Sequence, residues 1–176
     1  MRIDPTKTWR VVEARLARER DPRRRRNLET VLAHMRAEVA PDLDALMATV
    51  AENAHYHAWG TDDPLYSPRG KAAVRRFYEA FIASGAHRLE LDVDRLVVDD
   101  DCVVTEGVMR IAYPGTIVAL LGHTIDDPAA YYLFETRMVV VWPMDEDGLV
   151  LGEDTYTAGD GFAGIANRKL SPEDLA

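Results

Sequence analysis

The sequence predicts an α+β domain in which helices pack against one strongly curved antiparallel sheet. Apolar residues recur at helical spacing through the first half of the chain and alternate at strand spacing through the second. The alternation also slips by one residue along the first long strand, the mark of a bulge, and bulges bend sheets. At 176 residues the chain has the length of one domain with a sizeable core.

In residues 8–20, Trp9, Val12 and Leu16 form a sparse apolar stripe on an otherwise charged helix, which reads as an arm packed on the domain. Asp21 and Pro22 suit the N-cap and first residue of a second helix, whose apolar face runs through Leu28, Val31, Leu32, Met35 and Val39. Pro41 starts a third helix with Leu43, Leu46, Met47 and Val50. The aromatic segment 54–59, AHYHAW, precedes the breaker-laden GTDDPLYSPRG and reads as a strand followed by a loop. Helical spacing returns over 71–84 with Val74, Phe77, Tyr78 and Phe81, and Gly85 is placed to end that helix.

Beyond Gly85 the period is two. Leu89, Leu91 and Val93 alternate with Glu90, Asp92 and Asp94, but the parity shifts by Leu96 and Val98, which puts the bulge near Asp94 and Arg95. The turn Asp99-Asp100-Asp101 leads into a strand over 103–113, and strands over 131–142 and 149–157 meet at MDEDG, giving a meander. Residues 114–130 are too long and too apolar at their centre for a plain turn and form a candidate lid. The ending SPEDLA reads as a polar tail.

A net charge of -9 argues against nucleic acid and anionic membranes as partners, since a phosphate-reading surface needs an excess of Lys and Arg. Cys102 is the one cysteine, so no internal disulfide can form and a reducing, cytoplasmic setting is expected. Asp4, Pro5, Lys7, Glu13 and Arg15 break up any export signal, and no apolar run reaches the roughly 18 residues that span a bilayer.

The runs MATVAENAHYHAWG and PRGKAAVRRFYEAF, with the closing hairpin VVVWPMDEDGLVLGEDTYT, resemble the nuclear transport factor 2-like superfamily in its SnoaL-like and ketosteroid isomerase-like branch. The resemblance divides the chain into a helical extension (1–40), a SnoaL-like domain (41–165) and a polar tail (166–176). It implies a cone whose sheet wraps one pocket for a hydrophobic small molecule, and a homodimer. It points Tyr56 and Ala58 inward on the first strand. On the later strands it points Thr105, Gly107, Met109 and Ile111, then Phe134, Thr136, Met138, Val140 and Trp142, then Glu153, Thr155 and Thr157 inward. The catalytic residues of ketosteroid isomerase-like members fall on Ala58 and Met138, and the Arg and Asp residues of limonene epoxide hydrolase-like members fall on Gly107, Met109 and Thr155. Neither set carries over.

Other side chains must therefore supply any chemistry. His55 and His57 share one strand face and could act as acid and base, although the resemblance turns them outward; an isolated His-x-His does not specify a metal site, and none is expected. Glu153 falls on the inward face beside an apolar lining, where burial would raise its pKa toward the range of a general acid or base; its alternative is an ion pair with Arg137 or Arg110. Glu106, Arg110, Glu135 and Arg137 can form a cross-strand charge network, on the outer face or holding an anionic group of a ligand. Tyr78, Tyr132 and Tyr156 are candidate hydroxyl donors or plain core. Arg23 to Arg26 oppose the helix dipole and read as a solvated face. GDGFAG fits GxGxxG, but too little chain follows for a dinucleotide site.

The expectation is a cofactor-independent lyase, dehydratase or isomerase for an aromatic or polycyclic small molecule. Tyr56, His57 and Glu153 are its catalytic candidates. His55, Trp59, Tyr78, Phe81, Met109, Tyr132, Phe134, Arg137, Met138, Trp142 and Thr155 are its candidate binding residues. The alternatives are a non-catalytic binding or dimerisation module, expected to have an almost wholly apolar cavity, and epoxide-hydrolase-like water addition, expected to have an Arg and two carboxylates inside it.

Overall fold

A computed structural model describes residues 2–175. Helices α1 (Lys7–Leu16), α2 (Pro22–Val39) and α3 (Leu43–Ala48) precede a short strand β1 (His57–Ala58), a 3-10 turn (Pro64–Tyr66) and helix α4 (Lys71–Ala83). Strands β2 (Leu89–Val98) and β3 (Cys102–Pro114), helix α5 (Gly115–Leu120), and strands β4 (Tyr131–Pro143), β5 (Asp154–Ala158) and β6 (Lys169–Leu170) follow. The Asp21 carboxylate accepts hydrogen bonds from the Arg23 and Arg24 amides at 2.9 and 3.0 Å, with Pro22 opening α2. Asp42 caps α3 through the Ala45 amide, so that helix begins at Leu43 and not at Pro41. The arginine run divides: Arg25 and Arg26 are exposed, with Arg25 paired to Glu29 one turn on, while Arg23 and Arg24 reach other elements. Arg23 donates to the carbonyls of Asp100 and Asp145, and Arg24 pairs with Asp99 and Asp100, so α2 is clamped to two strand-connecting turns.

Among the described residues the sheet runs β1-β5-β4-β3-β2, with β6 added beside β4. The β2 to β5 meander is antiparallel, but β1 enters parallel to β5, so the sheet is mixed. The expected aromatic strand shortens to His57–Ala58. The chain expected as strand over 149–153 bends after Gly148 (φ 78°), and Val150 there bridges to Val50 and Met144. The bulge lies where the parity slip placed it, between Val93 and Arg95. Gly107 faces Val93 there because a Cβ on it would lie 2.3 Å from the Asp92 carbonyl oxygen. The bend thus needs glycine.

The main hydrophobic cluster joins α2, α3 and α4 to the concave sheet face through Leu28, Val31, Met35, Leu46, Val74, Tyr78, Leu91, Val103, Val140 and Trp142. Helix α1 covers the open edge of β2, where Thr8 Oγ1 accepts from the Leu91 amide at 3.0 Å. Lys7 reaches buried Glu90 and Arg110 binds it at 2.7 Å, which fastens the arm to the outer face. The C-terminal segment is tied in as well: β6 pairs with β4, and Leu175 packs against Ile3, Ala112 and Leu133. No helix among the described residues is long and apolar enough to cross a membrane.

Candidate functional site

A cavity of about 240 Å³ lies between the concave sheet face and helices α2 and α4. Strand alternation decides its walls: Tyr56 and Ala58, Met109 and Ile111, Phe134, Met138, Val140 and Trp142, and Thr155 and Thr157 all line it. Phe77 and Phe81 close it from α4. Thr105 is buried behind this wall, where its Oγ1 accepts from the Trp142 indole at 3.1 Å and fixes that ring. Ala58 and Met138 bring no ionisable group to the cavity they line.

The polar end is assembled from helices as much as from the sheet. Glu153 Oε1 lies 2.5 Å from the Tyr78 hydroxyl and 2.8 Å from His34 Nε2, and that nitrogen is also 2.9 Å from the Tyr78 hydroxyl. Thr49 Oγ1 lies 2.6 Å from His34 Nδ1 and 2.6 Å from the Leu46 carbonyl oxygen. The Thr49 hydroxyl has one proton, which the carbonyl oxygen requires, so His34 Nδ1–H donates to Thr49. His34 Nε2 thus sits between the Tyr78 hydroxyl and Glu153 Oε1, in reach of both. The Tyr78 hydroxyl donates to Oε1, and His34 Nε2 packs against the same oxygen.

Glu38, one turn beyond His34 on α2, also lines the cavity. Burial pushes its carboxyl well above the usual carboxylate range, and the charge of Glu153 adds to the effect. Burial likewise raises the phenols of Tyr56 and Tyr78 well above the usual tyrosine range, again with Glu153 contributing. The Tyr56 hydroxyl is buried and lacks a hydrogen-bond partner of good geometry among the described residues. A largely apolar cavity thus ends in a Glu38 carboxyl favoured as the neutral acid, the Glu153 carboxyl held beside Tyr78 and His34, and the Tyr56 phenol.

Of the candidates from sequence, Tyr56, Phe81, Met109, Phe134, Met138, Trp142, Glu153 and Thr155 line the cavity, and Tyr78 reaches it through Glu153. His57 borders the cavity, but its Nδ1 is 2.9 Å from Asp154 and its ring stacks on Trp59, so the imidazole partnering Glu153 is that of His34. His55 packs against His57, and Trp59 is 59% exposed and stacks on Tyr156, which puts both outside the cavity wall. Arg137 lies on the outer face, bound to Asp94 and Glu106. Tyr132 packs away from the cavity with Val118 and Ile165, where its hydroxyl accepts from the Asp127 amide and donates to Asp126. Strand parity turns His55, Trp59 and Arg137 away, whereas Tyr132 shares the parity of Phe134 and lies farther along β4, under α5. His34, Glu38 and Thr49 were missed, although His34 and Glu38 follow Val31 by three and seven residues and so lie on the apolar face of α2.

Among the described residues no group of three or more His, Cys, Asp or Glu side chains is arranged to hold a metal ion. Residues 31–152 match the SnoaL-like domain family, a span that takes in His34, Glu38, Thr49, Tyr56 and Tyr78. The fold is similar to that of a protein from Shewanella putrefaciens CN-32 described as a SnoaL-like polyketide cyclase (TM-score 0.66, 12% identity, 89% of this chain and 92% of that one). It is also similar to one from Jannaschia sp. CCS1 described in the same words (TM-score 0.63, 21% identity, 85% and 97%). A third is the epoxide hydrolase/cyclase-like enzyme SalBIII of pyran ring formation in salinomycin (TM-score 0.55, 16% identity, 75% and 90%). No curated protein matches the sequence.

Proposed function

The chain belongs to the SnoaL-like domain family, and from that premise we propose that it is a cofactor-independent acid–base enzyme for a hydrophobic carbonyl compound. The reaction is a lyase, dehydratase or isomerase step. The observation that carries this reading is the convergence of Glu38, Glu153, Tyr56, Tyr78 and His34 on one end of an otherwise apolar cavity. Two carboxyls at such a site cost stability, and acid–base chemistry is the use that favours keeping both.

The roles follow from protonation and geometry. Glu38, as the neutral acid, and the Tyr56 hydroxyl donate to the substrate carbonyl oxygen. Glu153 takes the proton from the adjacent carbon; the C–H pair moves into the new C=C bond, and the carbonyl oxygen gains the charge that the two donors hold. His34 and Tyr78 keep the Glu153 carboxyl in place through this transfer. Returning the proton at a different carbon gives isomerisation. Handing it to a departing β-hydroxyl gives dehydration. Water addition to an epoxide is less well supported, since no arginine lines the cavity among the described residues and Arg137 is engaged outside it.

The test is solvent deuterium exchange at the acidic carbon of 2-tetralone and related cyclic ketones, followed by proton NMR. The protein should accelerate exchange, and Glu153→Gln should abolish the acceleration while circular dichroism stays unchanged. Exchange equally fast with Glu153→Gln would remove Glu153 as the base.

A further inference from the structure

We infer that an apolar groove outside the cavity mouth is a second subsite for the same ligand, so that the substrate is elongated, with an oxygen-bearing head and a hydrocarbon tail. The inference rests on the acid–base reading for where the head sits. The groove, of about 320 Å³, shares Tyr66, Phe77, Phe81 and Tyr113 with the cavity, and these rings form a collar between the two spaces. Beyond the collar its walls are Leu65, Ala80, Ile117, Leu121 and Phe162.

The chemistry of those walls identifies the tail. No ionic side chain lines the groove, and the one small hydroxyl there, that of Ser84, is spent on the Phe81 carbonyl at 2.8 Å. Leu65 and Leu121 are 54% and 48% exposed, an apolar surface that the core leaves uncovered. The wall is nevertheless anchored: on α5, Val118 is fully buried against Tyr132 and Ile165. The 114–130 segment thus seats Val118 in the core and turns Ile117 and Leu121 to the groove. Continuity with the cavity favours one molecule lying through the collar, carboxyl groups at one end and hydrocarbon contacts at the other.

The experiment is calorimetric titration with a series of 4-alkylphenols, from 4-methyl to 4-heptylphenol, against the wild type and the surface variants Leu121→Asp and Ala80→Trp. In the wild type each added methylene should tighten binding by up to about fourfold through the longer members, as expected for burial of a CH2 group. Both variants should bind 4-methylphenol like the wild type and lose the gain for long tails. Wild-type affinity that stops rising at short tails, or variants that follow the wild type throughout, would overturn the subsite. So would sedimentation velocity showing that Leu121→Asp changes the oligomeric state while the tail increments persist, because the groove would then belong to a second copy. Loss of ketone exchange with intact increments would sink the acid–base reading alone, and flat increments with intact exchange would sink the subsite alone.

Discussion

Replacing Glu38 by Gln should change how stability depends on pH, and the sign is fixed by the direction of its shift. The ordinary carboxyl value is 4.5, and burial beside Glu153 holds the folded-state value well above it. Below 4.5 the side chain is protonated in both the native and the unfolded chain, and it contributes no pH dependence. Above that the unfolded chain releases the proton while the native chain keeps it, so the native state binds one proton more and stability falls as pH rises. The slope from this single group is about 1.4 kcal/mol per pH unit until the folded-state value is reached. For a domain of this size that corresponds to about 3–5 °C in Tm per unit. Thermal or urea unfolding of the wild type and Glu38→Gln at pH 5, 6 and 7 gives the difference directly, with the variant gaining on the wild type as pH rises until the folded-state value is passed. Parallel curves for the two proteins would mean that Glu38 ionises as an ordinary carboxyl, and its role as a neutral donor in the cavity would be lost.

Tyr56→Phe removes a buried hydroxyl that makes no hydrogen bond of good geometry, so stability should change by less than about 1 kcal/mol, while ketone exchange falls by about 10²-fold or more for loss of a donor to the forming oxyanion. A fall in stability with unchanged exchange would reverse that assignment. His34→Ala leaves Glu153, Tyr78 and Thr49 short of a partner inside the core, and should cost about 2–4 kcal/mol in urea unfolding as well as reducing exchange. Arg137→Ala should leave exchange rates unchanged and shift stability by about 0–1 kcal/mol, as for other exposed ion pairs. Gly107→Ala should destabilise by at least about 1–3 kcal/mol, since its Cβ would meet the Asp92 carbonyl oxygen at the bulge, and an unchanged Tm would refute the tight approach there.

The sequence by itself determined the α+β architecture, the capped start of α2 and the bulge near Asp94. These follow from local rules: a period of 3.6 or of 2, a capping carboxylate, and a parity slip, each read within a few residues. The family resemblance pointed Glu153 and Tyr56 into the cavity, where both lie, but could not say what meets them there. His34 and Thr49 lie 15 residues apart, and His34 and Tyr78 lie 44 apart; only packing of α2 and α4 over the sheet brings them to Glu153. Likewise strand parity turns Arg137 outward, but its meeting with Asp94 and Glu106 there depends on how three strands align. Side-chain chemistry is written in the chain; which groups lose their water together, and so change their protonation, is decided by the tertiary structure.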